Sequence, residues 1–118
     1  MDKWIIMVES HVTDPSREKE AEDWYRNIHM PDLMTTPGYI SAKRYAMREM
    51  RNGRGKFVAV YEVETDDIDK TLKIRDEYIA KEKEAGRTSN QMMPGLILPI
   101  WQWVVCKEEM SFTKPGKK

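Results

Sequence analysis

A single cysteine, Cys106, stands in the whole sequence, so no disulfide can form within the chain. That usage suits a reducing compartment, and a cytoplasmic location is the expectation. Only two histidines occur, His11 and His29, far apart and outside any HxH, HExxH or CxxC pattern, so a metal site is not expected. Neither sign of charge is in excess, with 20 Lys plus Arg against 20 Asp plus Glu. Nucleic-acid binders and proteins that coat anionic membranes usually carry a basic surplus, so neither partner is expected. The basic end, Lys114, Lys117 and Lys118, is short and reads as a solvated terminus. No apolar run approaches the ~18–20 residues of a membrane span, and the N-terminus begins with strand-like residues rather than a signal peptide. Glycine is scarce at six residues. No dinucleotide fingerprint appears, and "NGRGK" lacks the spacing of a phosphate loop. An organic cofactor is therefore not expected.

What is present is enough for one folded domain. The chain has 118 residues, 40% hydrophobic and 34% charged, which is a globular rather than a disordered composition. The domain is assigned to residues 1–107, followed by a tail at 108–118. "KWIIMVES" (3–10) is rich in β-branched and aromatic residues and reads as a strand. Asp14 and Pro15 supply a helix cap and a first-turn proline. Ala21, Trp24, Tyr25 and Ile28 then recur at i, i+3, i+4 and i+7, one apolar face. Pro31 disfavours helical geometry at Met30 and predicts a break or kink there.

After Pro37-Gly38, "YISAKRYAMR" reads as a second strand, Asn52-Gly53 as a hairpin turn and "KFVAVYEVE" as a third strand. Asp66 or Asp67 can cap a second helix with a partial stripe of Ile68, Leu72, Tyr78 and Ile79, ended by Gly86. A loop at 87–95 leads to a fourth strand, "LILPIWQWVVCK". The order β-α-β-β-α-β is the ferredoxin-like plan of the α+β class, a four-stranded antiparallel sheet with both helices on one face. The other face is then uncovered, yet strands one and four are apolar on both faces. Exposing a whole apolar sheet face exceeds what a monomer tolerates, so a homodimer packed sheet to sheet is expected.

Chemistry concentrates at the end of the first helix. Tyr25 and His29 are four residues apart and project from one side, beside Trp24. A helix C-terminus favours imidazolium and burial favours imidazole, so His29 is placed to give or take a proton near neutral pH. The plain alternative is a histidine that only caps the helix end. Arg44 could neutralise an enolate or carboxylate, or form a structural salt bridge. Tyr61 and Glu62 face opposite ways, so only one can share a given cavity. Trp101 and Trp103 share a face and could stack on a flat ligand or simply fill the core. His11 lies where strand one leaves the sheet, and a solvated position is expected. Met34 and the other loop methionines fit an adaptable apolar lining. Cys106 reads as an inert core thiol.

"DWYRNIHMPDLMTTPGYISAKRY" resembles the dimeric α/β-barrel superfamily, most of all its EthD-like members. Trp24, Tyr25, His29, Pro31, Pro37, Gly38, Tyr39, Arg44 and Tyr45 carry that resemblance. It implies two ferredoxin-like subunits joined sheet to sheet, each with a small cavity between helices and sheet. Relatives of this architecture include cofactor-free monooxygenases of aromatic polyketides, polyketide cyclases, muconolactone isomerases, haem-degrading enzymes and haem-dependent peroxidases. In several branches a histidine near the pocket serves as acid or base.

The expected function is thus a cofactor-independent enzyme moving protons on a small aromatic or polyketide-like molecule, by cyclisation, isomerisation or dehydration. His29 would be the acid/base, Tyr25 or Tyr61 would hydrogen-bond an oxyanion and Arg44 would offset its charge. Trp24, Trp101, Trp103 and Met34 would bind substrate. Alternatives are a cofactor-free monooxygenase, a haem protein with His29 on the iron, or a non-catalytic binding protein.

Overall fold

The computed structural model describes residues 1–50, 52, 54–87 and 95–116, with the backbone alone for 99–103. Strand β1 (Asp2–Val12) buries Ile6, Val8 and Val12 on one face and half-buries Ile5 and Met7 on the other. The Asp14 carboxylate then accepts the Ser16 N–H at 3.0 Å, and Pro15 opens a 3₁₀ turn, Pro15–Arg17. Helix α1 (Glu18–Trp24), a π-helical turn (Tyr25–His29) and helix α2 (Met30–Met34) follow without a gap.

The break expected at Met30 is not there, because Met30 keeps helical angles of φ −64° and ψ −45°. Pro31 has no N–H, and in a regular α-helix its ring would press on the carbonyl of Asn27. A wider turn relieves that clash. The Met30 N–H reaches back to the Tyr25 carbonyl, an i to i−5 bond, and the helix passes through the proline into α2.

Strands β2 (Tyr39–Ala46) and β3 (Phe57–Thr65), helix α3 (Ile68–Glu84) and strand β4 (Ile97–Lys107) complete the order. The sheet runs β2-β3-β1-β4 with antiparallel neighbours, which is the ferredoxin-like arrangement expected from the sequence. Two details differ. The β2–β3 connection spans residues 47–56, longer than a two-residue Asn-Gly hairpin, and Gly53 lies outside the described residues. In α3 the buried positions are Thr71, Arg75 and Glu82, while Ile68, Leu72, Tyr78 and Ile79 are only half-buried. Polar side chains can face inward because they find partners: the Thr71 hydroxyl bonds Thr65 Oγ1 at 2.8 Å, and Glu82 meets His29. Asp67 is the α3 cap, accepting from the Lys70 N–H at 3.1 Å. Gly86, at φ +74°, ends the helix as its spacing predicted, with the Arg87 N–H returning to the Glu82 carbonyl at 3.0 Å.

One irregularity positions the site. Tyr39 pairs with Val63 but Ser41 pairs with Glu62, so Ile40 is an extra residue in β2. Side chains alternate along a strand, and one inserted residue switches the face of everything after it. Tyr39 and Arg44, of opposite parity, therefore both lie on the helix-covered face.

The opposite face carries Ile5, Met7, Val58 and Val60 half-buried, with Leu98, Val104 and Cys106 exposed. Cys106 is thus not the core thiol expected, because its strand parity sends it away from the helices. His11 is half-buried on this face opposite Leu98, less solvated than expected. Glu9 is also on this face and is buried, accepting from Arg54 Nε at 2.8 Å and the Gly55 N–H at 2.7 Å. Residue 55 must be glycine for this approach, since a Cβ there would sit 2.3 Å from the Ser10 carbonyl oxygen. Among the described residues no helix is long and apolar enough to cross a membrane.

Candidate functional site

Between the α1–α2 helical segment and the outer strand β2 lies a cleft of about 760 Å³. That volume is in the range of small-molecule sites. Tyr25, Met30, Pro31 and Met34 form its helix side; Ala42, Arg44 and Phe57 form its sheet side; Glu22 and Arg26 stand in its lining as an ion pair. The walls are mostly apolar, with two guanidiniums among them, Arg26 paired with Glu22 and Arg44 without an ion-pair partner among the described residues.

Arg44 is the more buried of the two. Its guanidinium carbon lies 3.9 Å from the centroid of the Phe57 ring and 4.8 Å from that of Tyr25. Aromatic faces attract a cation and hold its plane, but they supply no acceptors in that plane. Nε and Nη2 are screened from water and meet no acceptor among the described residues. Burial accordingly lowers the Arg44 pKa from its ordinary value, partly offset by Tyr25, Glu22 and Glu18 nearby. Burial raises the Tyr25 phenol, against a smaller opposing effect of its hydrogen bond with Ser10 and the Arg44 charge, so Tyr25 is a protonated group at neutral pH.

A second layer stands behind Tyr25. The His29 ring meets the Tyr25 ring edge-on at 5.5 Å and stacks on Trp24 at 4.5 Å, 13° from parallel. Residues five apart can stack because the π-turn winds its bonds from i to i−5. His29 Nδ1 lies 3.1 Å and 3.3 Å from the two carboxylate oxygens of Glu82 on α3, and both side chains are buried. Trp24 Nε1 donates to the Arg87 carbonyl at 2.9 Å. Arg87 in turn clamps Asp32 with bonds of 2.7 Å and 2.9 Å, which hold the Asp32 carboxyl below its ordinary pKa.

The structure therefore divides the residues the sequence singled out. Tyr25, Arg44 and Met34 line the cleft, whereas His29, Trp24 and Tyr61 are absent from its lining. His29 is turned toward Glu82 instead, and Trp24 toward α3 and its terminus. Tyr61 is fully buried next to Tyr39, and burial pushes its phenol well above the ordinary value. The side chains of Trp101 and Trp103 lie outside the described residues. Sequence reasoning missed Phe57, the floor under Arg44, and Glu82, the partner of His29. Neither leaves a local signal, since each is joined to the site across the sheet or between helices. A haem held by His29 would need an imidazole edge open to a cavity. The ring is stacked on Trp24, bonded to Glu82 and outside the cleft lining, so these residues do not fit that group.

Solved structures share this architecture. HapK from Hahella chejuensis matches at a TM-score of 0.58 and 9% identity, over 98% of this chain and 99% of that one. A monooxygenase from the gene ActVA-Orf6 of Streptomyces coelicolor, in complex with nanaomycin D, matches at 0.59 and 17% identity, over 96% and 93%. An EthD family protein from Bacillus halodurans matches at 0.49 and 20% identity, over 94% and 100%. The shared fold is ferredoxin-like. At these identities the likeness fixes the fold and nothing finer. No family model matches the sequence, and no curated protein matches it.

Proposed function

We propose that this ferredoxin-like domain is an enzyme that moves protons on a small, flat, mostly apolar molecule bound in the cleft beside Arg44. The observation that carries the reading is the Arg44 guanidinium, set in the cleft wall 4.8 Å from the Tyr25 ring centroid and 3.9 Å from that of Phe57, with no ion-pair partner among the described residues. A preorganised cation in a desolvated wall favours negative charge that develops on a substrate oxygen. Removing a proton next to a carbonyl, or from a phenol, generates such charge, so cyclisation, isomerisation and dehydration are all within reach. Glu22 is the carboxylate of the lining and takes the proton, while Arg26 holds it in place. His29 is a positioning residue that braces Tyr25 from behind. The same carbanion can react with dioxygen, and the fold is shared with a monooxygenase, so oxygenation is the second reading.

The test is hydrogen–deuterium exchange in D₂O with a panel of aromatic ketones and cyclic 1,3-diketones, followed by proton NMR together with an oxygen electrode. Wild type should accelerate exchange, and folded Arg44→Gln should lose about 10²–10³ of that acceleration. Oxygen uptake with any substrate would select the second reading. Exchange equal in wild type and Arg44→Gln would remove Arg44 from the chemistry.

The enzyme acts as a homodimer, formed where Ile5, Met7, Val58, Val60 and Val104 leave an apolar sheet face without a helix over it. A second sheet buries that face.

A further inference from the structure

The chain runs on past the end of its own sheet. Strand β4 follows β1 as far as the Lys107–Trp4 pair, and one further bond, from the Glu108 N–H to the Lys3 carbonyl at 2.7 Å, prolongs the ladder. Strand β1 begins at Asp2, so it offers almost no backbone beyond that point. Residues 109–116 continue without helix or strand, all of them exposed, and form no backbone hydrogen bond with another described residue. Met110 and Phe112 alternate there with Ser111 and Thr113, the period of a strand with one buried face, and Pro115-Gly116 closes the run. Yet Met110 is 70% exposed and Phe112 93%. A lone exposed apolar residue is ordinary. A strand-patterned pair on the extension of an edge strand is a surface made to be covered.

We infer that residues 109–116 are an arm received by a second copy of this chain, with Met110 and Phe112 buried against that copy. Position and charge both select this partner. Ile5 pairs with Glu62 on one side and Cys106 on the other, and Lys3 pairs with Glu64, so these residues cross the open sheet face in adjacent rows. Glu108 lines the same groove, which places the root of the arm at the margin of that face. A sheet covering the face packs about 10 Å away. The chain from Glu108 to Phe112 spans up to about 13 Å, enough to reach it. The groove carries Glu62, Glu64 and Glu108 against Lys3 and Lys107, and Lys107 is already paired with Asp2 at 3.4 Å. Lys114, Lys117 and Lys118 follow Phe112 in sequence, so a basic arm end complements an acidic margin in a chain of zero net charge. Two-fold symmetry uses each arm and each face twice.

This rests on the proposed sheet-to-sheet dimer and adds the element that locks it. The full chain and Phe112→Ser are compared by analytical ultracentrifugation over a dilution series. Phe112→Ser should raise the dimer dissociation constant at least about a hundredfold, since two rings are lost per dimer. In the monomeric Val60→Glu chain the same change should leave the urea midpoint where it was, because the ring packs on no part of its own chain. A photoreactive benzoylphenylalanine in place of Phe112 should cross-link two copies, and the product should disappear when Val60→Glu is added. Equal dissociation constants for wild type and Phe112→Ser, or cross-links confined to one chain, would overturn the inference and leave the dimer standing. Phe112-dependent binding to phosphatidylserine vesicles, with a dissociation constant indifferent to Phe112, would assign the arm to a lipid surface and overturn it likewise. A wild-type chain that stays monomeric at millimolar concentration would overturn both.

Discussion

Replacing His29 by alanine probes the layer behind the cleft, because its contacts with Glu82 and Trp24 belong to different elements. The imidazole bridges to Glu82 at 3.1 Å, with side-chain exposures of 7% and 3%. Removing the hydrogen-bond partner of a buried polar group typically costs about 1–3 kcal/mol. The stack on Trp24, at 4.5 Å, adds about 0.5–1.5 kcal/mol. With a urea m value of about 1.5 kcal/mol/M, losing that hydrogen bond alone moves the unfolding midpoint down by about 0.7–2 M. Protomer concentration is held fixed, because self-association would itself shift the midpoint.

The sharper measurement is a cycle with Glu82→Leu. Removing both polar groups should cost less than the sum of the single changes by at least about 1 kcal/mol, because the hydrogen bond they share is then lost once and not twice. A His29→Ala midpoint within about 0.5 M of wild type at unchanged m, or strict additivity in the cycle, would refute the argument that this pair holds the helices together. If His29 instead moves protons, its loss would abolish turnover while leaving the midpoint in place.

Acid should weaken the fold through two carboxyls. Arg54 and the Gly55 N–H hold Glu9 below its ordinary 4.5, and Arg87 holds Asp32 below its ordinary 3.8. A depressed folded-state pKa contributes stability above the unfolded value, which is lost as pH falls through the folded one. Urea midpoints should therefore drop on acidification below about pH 4.5, and Glu9→Gln should flatten the upper part of that drop; an unchanged profile would count against the Arg54 contact. On the open face, Val60→Glu should convert a dimer to a monomer in light scattering at micromolar concentration, since a charge cannot be buried in an apolar sheet contact without a partner. A wild-type chain that is monomeric under the same conditions would remove the dimer.

Much of the architecture was written in local pattern. Asp14-Pro15, Asp67 and Gly86 mark helix ends because caps and left-handed stops are properties of a few adjacent residues. The β-branched and aromatic run of β1 read as a strand for the same reason. Pattern failed where backbone geometry answered to packing. Pro31 predicted a break or kink, yet the backbone stays helical through Met30 because a widened turn absorbs the proline. The α3 stripe was expected to be Ile68, Leu72, Tyr78 and Ile79, yet Thr71 and Glu82 are buried deeper, where Thr65 and His29 meet them.

The site shows the division most clearly. The sequence by itself determined that Tyr25 and His29 share a helix side, that Arg44 belongs to a strand after Pro37-Gly38, and that an apolar sheet face would lack cover. Only the tertiary structure decided which of these groups meet. The extra residue at Ile40 turns Arg44 under the helices, onto Phe57 from the next strand, and the π-turn draws His29 over Trp24 toward Glu82 on α3. A bulge and a helix register are settled by the summed packing of distant residues, and local spacing carries no record of them.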